Sequence, residues 1–559
     1  MEETGKDFGE GEFNLKFITL QRVFELELDQ HADKVTDICK EAMEEERNEK
    51  TMAKIDSDWK NTNFTVHSFG DKGYTIGATD VIREQLESHI MILGGVAASK
   101  YARSVKAKVA EWERDLNLVF DVIDLWMAVQ RRWIYLEAIF RSDDIKSQLP
   151  EEAKKFGKTD TNYCKIMEMV YKNPNVLQCC VKGEAHNRLE ELRILQAELD
   201  KCEKSLIQYL EGKRMALPRF YFIPNEDLLE ILGTSDPQAI QPHLQKLYDN
   251  CERLTFGQGG KIISHMVSEE GEEFEFEIPV KPENNIEEWM FRVEDEMKRT
   301  LHVHCKKGVF HYAKEDRVEW IRQQLGMISL VGSQIWWTFS IEDVFRRINE
   351  KNEPKAMKQE LAKENKDLND LVAMVRQDID SKFKLAINVM IILDVHARDI
   401  VERFVRDSVL NSKEFAWESQ LRFYWDLEKD DVEIRQCTGR FDFCYEYQGL
   451  GGRLVITPLT DRCVMTLTTA LTFYLGGAPA GPAGTGKTET VKDLAKGLAI
   501  RCVVTNCGET MDFNFMGEIF AGLIQTGFWG CFDEFNRINV EVLSVVSAQI
   551  KMIQNGLVE

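Results

Sequence analysis

The sequence predicts a mostly α-helical protein with a small β insertion, followed by a truncated α/β domain at its carboxyl end. Three observations support this fold class. Apolar residues recur at about every third or fourth position through most of residues 13–440, as they do in amphipathic helices. Residues 273–278 alternate with period two, as a strand does. After a glycine-rich joint at residues 448–453, strand-like and helix-like segments alternate.

The length and charge of the chain limit the classes of protein to which it can belong. The chain has 559 residues, enough for three or four domains of about 150 residues each. Hydrophobic residues make up 43% and charged residues 30%, which excludes a disordered chain. Lysine and arginine number 71 against 94 acidic residues, a net charge of −23. This balance argues against nucleic acid, an anionic membrane or an acidic filament as a direct partner.

Cysteine usage and the amino terminus indicate a cytosolic chain. The 13 cysteines are scattered without repeated metal-type spacing, which favours reduced thiols. The first ten residues are acidic, unlike a signal peptide, and no stretch approaches 18 apolar residues. The sequence therefore predicts no membrane span.

The strongest helical pattern covers Lys106–Phe140 and predicts one long helix or two in line. Trp112, Trp126 and Trp133 share its apolar stripe, and large aromatics at this spacing are interpreted as core rather than as a ligand site. A break near Pro150 starts a new helix.

A second helix is predicted over about 186–212, with a short heptad seam. The seam consists of Leu192, Leu195, Leu199, Cys202, Leu206 and Tyr209. Fewer than three repeats favour packing in a bundle, although a free coiled coil stays open as an alternative.

The small β insertion is predicted at about 217–280. It begins with an aromatic run at 217–224 that prolines bound, continues through a glycine cluster at 257–260 and ends in the alternating segment. Helical patterning resumes near Ile286, and the mixed charges of 355–380 suggest a solvated helix face.

Three potential metal ligands lie within four residues, namely His302, His304 and Cys305. A metal site needs a fourth ligand and a geometry that this spacing does not supply. We therefore interpret them as ordinary helix or surface residues.

Residues 481–488 match the motif GxxxxGK[ST] in full. The matching residues are Gly481, Pro482, Ala483, Gly484, Thr485, Gly486, Lys487 and Thr488. Glycines let the backbone turn so that its N–H groups face the β- and γ-phosphates of a nucleotide, with the positive end of the next helix behind them. Lys487 is expected to reach the phosphate oxygens and Thr488 to bind Mg²⁺.

Further along, the apolar segment 529–532 is followed by Asp533 and Glu534. A strand that delivers an aspartate beside the phosphate loop supplies a second Mg²⁺ contact, here Asp533. The adjacent Glu534 is placed to polarise an attacking water and is the candidate catalytic residue. Together the two motifs predict nucleotide hydrolysis.

These motifs carry a family resemblance. Residues 481–490, with Cys531 to Ile538 downstream, resemble the first AAA+ module of dynein heavy chains. Residues 455–463 resemble the segment that leads into that module and lies against the adenine, which implies contacts at Leu459 and Thr460. The resemblance also places Glu489 at the nucleotide.

The resemblance extends over nearly the whole chain. Residues 217–231, 241–244 and 419–425 are similar to the helical linker of dyneins. It implies a linker over 1–447 and the amino-terminal part of the AAA+ module over 448–559. Residues 503–509 look more axonemal than cytoplasmic.

The resemblance implies a microtubule motor ATPase that uses ATP and Mg²⁺. ATP binding and hydrolysis in the first module would move the linker and drive ciliary or flagellar beating. The implied partners are microtubules, bound through downstream regions, with intermediate chains, light chains and other heavy chains possible. No nucleic acid or membrane is expected, and the implied location is the cytoplasm and cytoskeleton, with the axoneme favoured.

Two features depart from a complete module. The strand expected at 476–480 is glycine-rich, where AAA+ proteins generally have bulky apolar residues. The chain also stops at Glu559, before the expected sensor strand and helical lid, so we expect this fragment alone to be inactive. Two alternatives stay open: another AAA+ remodelling ATPase with a large helical amino-terminal domain, and a non-catalytic helical scaffold.

Overall fold

The computed structural model describes residues 21, 32–70, 72–141, 143–182, 187–234, 236–257, 259–283, 285–482 and 484–558. The chain divides into two compact units, Met1–Ile207 and Gln208–Glu559. In the part of the chain that is described, no helix is both long enough and apolar enough to cross a lipid bilayer.

The first unit is helical with one small hairpin. Its helices are α1 (Ala32–Asn61), α2 (Asp80–Ala97), α3 (Lys106–Phe140), α4 (Asp143–Gln148), α5 (Pro150–Lys172), α6 (Val176–Cys180) and most of α7 (Arg188–Ala216). The hairpin pairs β1 (Val66–Ser68) with β2 (Tyr74–Ile76) in antiparallel register.

Helix α3 is continuous, and its apolar stripe forms the centre of this unit. Trp126 and Trp133 are fully buried, which confirms their assignment to the core, whereas Trp112 is half-buried. The polar break in the stripe is Gln130, whose amide exchanges two 2.8 Å hydrogen bonds with the backbone of Ile76. A polar residue is tolerated there because it satisfies the edge of the hairpin.

The heptad seam of α7 is buried from Leu192 to Leu206, while Tyr209 is only partly covered. This burial fits a helix packed in a bundle rather than a free coiled coil.

Among its described residues, the second unit contains helices and three small sheets. Its helices are a 3₁₀ helix (Pro218–Phe222), α8 (Asn225–Leu232), a 3₁₀ helix (Pro237–His243), α9 (Leu244–Leu247), α10 (Ile286–His311), α11 (Arg317–Gln323), α12 (Gly326–Lys351), α13 (Ala356–Val375), α14 (Ser381–Asp407), α15 (Phe415–Glu418), α16 (Pro458–Thr472), α17 (Lys487–Gly497), α18 (Phe513–Thr526), a 3₁₀ helix (Phe535–Arg537) and α19 (Val540–Val558).

Two of its sheets are antiparallel and one is parallel. The first has the order β3 (Arg253–Gly257), β4 (Ile262–Val267), β5 (Glu273–Val280), and the second β6 (Arg422–Asp426), β7 (Asp431–Gln436), β8 (Gly439–Asp442). The third pairs β9 (Cys502–Asn506) with β10 (Trp529–Asp533) in parallel.

The β insertion was predicted correctly at 253–280 but wrongly at its start. The aromatic run is a 3₁₀ helix, because Pro218 at its first position favours a helical turn. The next side chain, Arg219, is buried and donates hydrogen bonds to Glu294 (2.6 Å) and Glu446 (2.5 Å). These buried ion pairs hold the turn in place.

This 3₁₀ helix packs closely on α18. A Cβ atom at Gly522 would lie only 2.6 Å from the Cβ of Tyr221, so only glycine allows the two backbones this approach. Beside them, the guanidinium groups of Arg219 and Arg501 both lie over the ring of Phe528. The 3₁₀ helix and α18 therefore share one packed joint.

Two further expectations differ from the structure. Strands β6–β8 lie in a region that the sequence pattern assigned to helix, because aromatic residues such as Phe423 and Trp425 favour a pleated surface. The strand expected at 476–480 does not form, since Gly476, Gly477 and Pro479 are poor strand formers.

The three candidate metal ligands His302, His304 and Cys305 lie on α10, and two of them contribute to the fold. A ring nitrogen of His302 contacts the backbone oxygen of Asp430 at 2.8 Å, and Cys305 is fully buried.

Candidate nucleotide site

The described residues of the phosphate loop, 481–482 and 484–486, lead without regular secondary structure into α17. Gly484 and Gly486 have φ angles of 76° and 79°, a left-handed conformation that glycine adopts without steric cost. Gly486 is also the residue that caps the amino end of α17. Ala483, a predicted member of the loop, lies outside the described residues.

Lys487 closes the loop with its own side chain. Its Nζ donates hydrogen bonds to the carbonyl oxygens of Gly481 (3.0 Å) and Pro482 (2.8 Å), and Thr485 Oγ1 donates to Pro482 at 2.9 Å. All of these contacts are exposed. Because these contacts are at the surface, the ammonium group can release the carbonyl oxygens and bind phosphate oxygens instead. No cavity inside the protein would result.

Thr488 and Asp533 come together although they lie on different elements. Thr488 is in the first turn of α17, and Asp533 is the last residue of β10. Thr488 Oγ1 donates to Asp533 Oδ2 at 3.0 Å, while the other carboxylate oxygen accepts from the backbone N–H of Glu534 at 3.0 Å. The structure thus brings the two candidate Mg²⁺ ligands next to each other.

The separation of these two oxygens fits a magnesium ion. Octahedral Mg²⁺ holds its ligands at about 2.1 Å, which puts neighbouring ligand oxygens about 3 Å apart. The Thr488 and Asp533 oxygens have that spacing without rearrangement.

Glu534 follows directly and has an unusual backbone. Its φ of 52° is left-handed, a conformation that is strained for a residue with a side chain. The carboxylate is exposed and pairs with Arg537 at 3.3 Å, one turn along. Glu489 likewise pairs with Lys492, at 2.8 Å, rather than with the loop.

The two residues expected near the adenine differ in whether their side chains are free to contact a base. Leu459 leaves 71% of its surface exposed, so its side chain is free to contact a base. Thr460 instead belongs to a capping box, in which its hydroxyl lies 2.9 Å from that of Thr457 at the start of α16. The individual roles of the site residues stay predictions.

An ion pair that the sequence did not indicate holds α17 through its residue Asp493. Arg453 donates to both carboxylate oxygens of Asp493, at 2.8 and 3.1 Å, and the backbone N–H of Leu454 adds a bond of 3.0 Å. Both charged side chains are about nine-tenths buried. We call this contact the Arg453–Asp493 clamp. An arginine after two glycines has no periodic signal that would have revealed it.

Two cysteines of the parallel sheet also escaped the sequence reasoning. Hydrogen bonding from Cys502 lowers the pKa of Cys531 to about 7 and raises that of Cys502. Of the two thiols, that of Cys531, two residues before Asp533, is therefore the more acidic.

The glycine loop, the helix behind it and the parallel strand ending in Asp533 define a P-loop nucleotide-binding module. Comparison with known families agrees. A model of the dynein heavy chain, N-terminal region 2, matches residues 1–308, and a model of the hydrolytic ATP binding site of the dynein motor region matches residues 443–559. The chain belongs to the dynein heavy chain family.

Two individual relatives also support membership of the dynein heavy chain family. The chain is 48% identical over 548 residues to dynein axonemal heavy chain 10 of Homo sapiens, which covers 97% of this chain. It is 51% identical over 562 residues to the dynein-1-alpha heavy chain of the flagellar inner arm I1 complex of Chlamydomonas reinhardtii, which covers 100%. The chain spans 12% of the length of each of these relatives.

These matches confirm the predicted resemblance and the fold class. The boundary between residues 447 and 448 stays a prediction.

Proposed function

We propose that this chain is part of an axonemal dynein motor, in which ATP binding and hydrolysis at the described site moves the helical linker, residues 1–447. The observation that carries the proposal is the contact between Thr488 and Asp533, inside a module that matches the dynein hydrolytic site. Two relatives are named as axonemal or flagellar dyneins, which supports the ciliary assignment.

The site residues have separate tasks in this proposal. Backbone N–H groups of the loop and the ammonium group of Lys487 bind the phosphates. Thr488 and Asp533 hold Mg²⁺, which when bound neutralises charge on the phosphate oxygens. Glu534 accepts a proton from the attacking water, after leaving its contact with Arg537.

The partners follow from the family. We infer that microtubules are bound through parts of the heavy chain outside these residues, and that other dynein chains assemble with it in the axoneme of a cilium or flagellum. The net charge of −23 supports a microtubule contact outside these residues, because it opposes direct contact of this region with an acidic filament.

Gliding of microtubules over the full-length heavy chain tests the proposal. We expect ATP-dependent gliding that Glu534→Gln stops while ATP still binds, because the substitution removes the proton acceptor but keeps the shape. Glu541→Gln, on the exposed first turn of α19, is the matched control and should glide normally. Absence of gliding by the wild-type protein, with ATP-driven unfolding of a substrate protein instead, would favour the remodelling alternative.

A further inference from the structure

Three side chains of metal-ligand type converge within the second unit, although they come from two segments of the chain. Asp227 and Glu230 are three residues apart on α8, so they lie on the same face of that helix. His243 ends the 3₁₀ helix that follows. A carboxylate oxygen of each acidic residue and a ring nitrogen of His243 all lie within 4.8 Å of one another. None of the three residues belongs to the candidate nucleotide site.

The imidazole of His243 directs its two nitrogens at the two carboxylates. Only 7% of this side chain is exposed, and its Nδ1 is buried without a hydrogen-bond partner among the described residues. Nδ1 lies 3.9 Å from Asp227 Oδ1, and Nε2 lies 3.9 Å from Glu230 Oε2. Hydrogen bonds to nitrogen span no more than about 3.2 Å. Because buried polar atoms normally have partners, this spacing calls for a bound group between the ring and the carboxylates.

Lys246 sets the orientation of Asp227. Its Nζ donates to Asp227 Oδ2 at 2.7 Å, while the other oxygen, Oδ1, faces the imidazole. An outer partner that orients a ligating carboxylate in this way is typical of metal sites. The ammonium group also balances one of the two carboxylates, so with a neutral imidazole the group keeps one net negative charge. That charge attracts a dication.

The donor atoms select the kind of metal. An imidazole nitrogen with carboxylate oxygens suits Zn²⁺, whereas Mg²⁺ and Ca²⁺ prefer oxygen ligands alone. Tetrahedral Zn²⁺ holds such ligands at about 2.0 to 2.1 Å, which puts neighbouring ligand atoms about 3.4 Å apart. The two 3.9 Å separations need to shorten by only about half an ångström. Glu230 is 75% exposed, so its side chain can move by that much without disturbing the core.

We propose that Asp227, Glu230 and His243 bind a Zn²⁺ ion, with a water molecule as the fourth ligand. Three protein ligands and one water form a common tetrahedral zinc site. Unlike the three candidate ligands on α10, these residues come from separate segments that the fold brings together. The ion therefore cross-links α8 to the 3₁₀ helix Pro237–His243.

The cross-linked segment leads directly into the backbone that anchors the two arginines of the joint with α18. The carbonyl oxygen of Leu247 accepts from Arg219 at 3.0 Å and also from Arg501, which donates to the carbonyl of Lys246 as well. The same two guanidinium groups lie over the ring of Phe528. Bound Zn²⁺ thus stabilises the segment on which both arginines depend.

Hydrogen exchange of the 559-residue chain, with and without added Zn²⁺, tests the proposal. Mg²⁺ is kept in excess throughout, so that the phosphate-loop site is supplied with its own cation. When Zn²⁺ is about tenfold above its dissociation constant, exchange through local opening should slow by about tenfold in α8 and residues 237–247. Exchange is measured segment by segment, so Zn²⁺ bound by cysteines elsewhere does not produce this pattern. Unchanged exchange in this segment would overturn the proposal.

Glu230→Gln and Glu226→Gln form a matched pair, because both glutamates are exposed on α8 and neither substitution disturbs buried packing. Glu230→Gln removes a ligand and should raise the Zn²⁺ concentration for half-maximal protection by at least about tenfold. Glu226→Gln should leave it unchanged. Equal protection of the two variants would contradict the assigned ligands. Equal protection of the wild-type chain by Ca²⁺ and Zn²⁺ would do so too, since the imidazole would then have no part in binding.

Discussion

Thr488 and Asp533 lie 45 residues apart in sequence, yet the threonine hydroxyl donates a 3.0 Å hydrogen bond to the aspartate. One residue starts helix α17 and the other ends strand β10, so the contact fixes the helix against the edge of the sheet. The two oxygens that we assign to Mg²⁺ are therefore already adjacent before any ligand arrives, which reduces the cost of organising the site.

The first prediction concerns Thr488→Val in the full-length heavy chain. The substitution keeps the shape of the side chain but removes the hydroxyl, so the gain in ATP affinity that Mg²⁺ provides should fall by about tenfold. Titration of a fluorescent ATP analogue with and without Mg²⁺ measures it. Thr490→Val is the control, since that hydroxyl donates to the carbonyl of Gly486 and not to Asp533 in the described structure. An unchanged Mg²⁺ effect in Thr488→Val would remove this residue from the metal site.

The second prediction is that Lys487→Ala weakens ATP binding by at least about tenfold, because it removes the charge that faces the phosphates. Lys492→Ala, one turn along α17 and paired with Glu489, should leave affinity unchanged. The same titration without Mg²⁺ distinguishes the two variants. Equal affinities of the two variants would contradict the assignment.

The third prediction tests the Arg453–Asp493 clamp. Arg453→Gln leaves a buried carboxylate without its cation, and breaking a buried pair costs about 3 kcal/mol. Hydrogen exchange of the α17 amides should show a fall of that size in the free energy of local opening. Arg322→Gln breaks an exposed pair with Glu319 and should change stability by less than about 1 kcal/mol. Unchanged protection of α17 would show that the clamp does not stabilise it.

The fourth prediction concerns pH. Burial raises the pKa of Glu364 to about 8 in the folded chain, whereas an unfolded glutamate titrates near its ordinary value. Between these two values the folded state binds the extra proton, so this group stabilises the fold at low pH and loses that contribution as pH rises toward 8. Glu364→Gln should therefore raise the melting temperature more at pH 8 than at pH 5. A pH-independent difference between the melting temperatures would contradict the raised pKa.

Local patterns predicted much of the fold because periodicity reports which face of an element is buried. Helix α3 and strand β5 follow their patterns closely. The 3₁₀ helix at 218–222 does not, because the turn that Pro218 starts is held by ion pairs of Arg219 to Glu294 and Glu446, far along the chain. Propensity could not reveal a tertiary contact of that kind.

The same distinction applies to the nucleotide site. The loop and the two acidic residues at the end of β10 form contiguous motifs, and their roles are predicted from residue type and spacing. The Arg453–Asp493 clamp and the thiol pair join residues with no common motif, so only the folded chain brings them together.

The close packing of the 3₁₀ helix on α18 has a mechanical consequence. A flexible tether transmits tension alone, but a joint in which Tyr221 abuts Gly522 and two buried arginines share the ring of Phe528 also resists bending and twisting. A rotation of α18 would then turn the 3₁₀ helix with it instead of being absorbed as slack. The stiffness of that joint depends on the absence of a side chain at Gly522, since any side chain there would force α18 and the 3₁₀ helix apart.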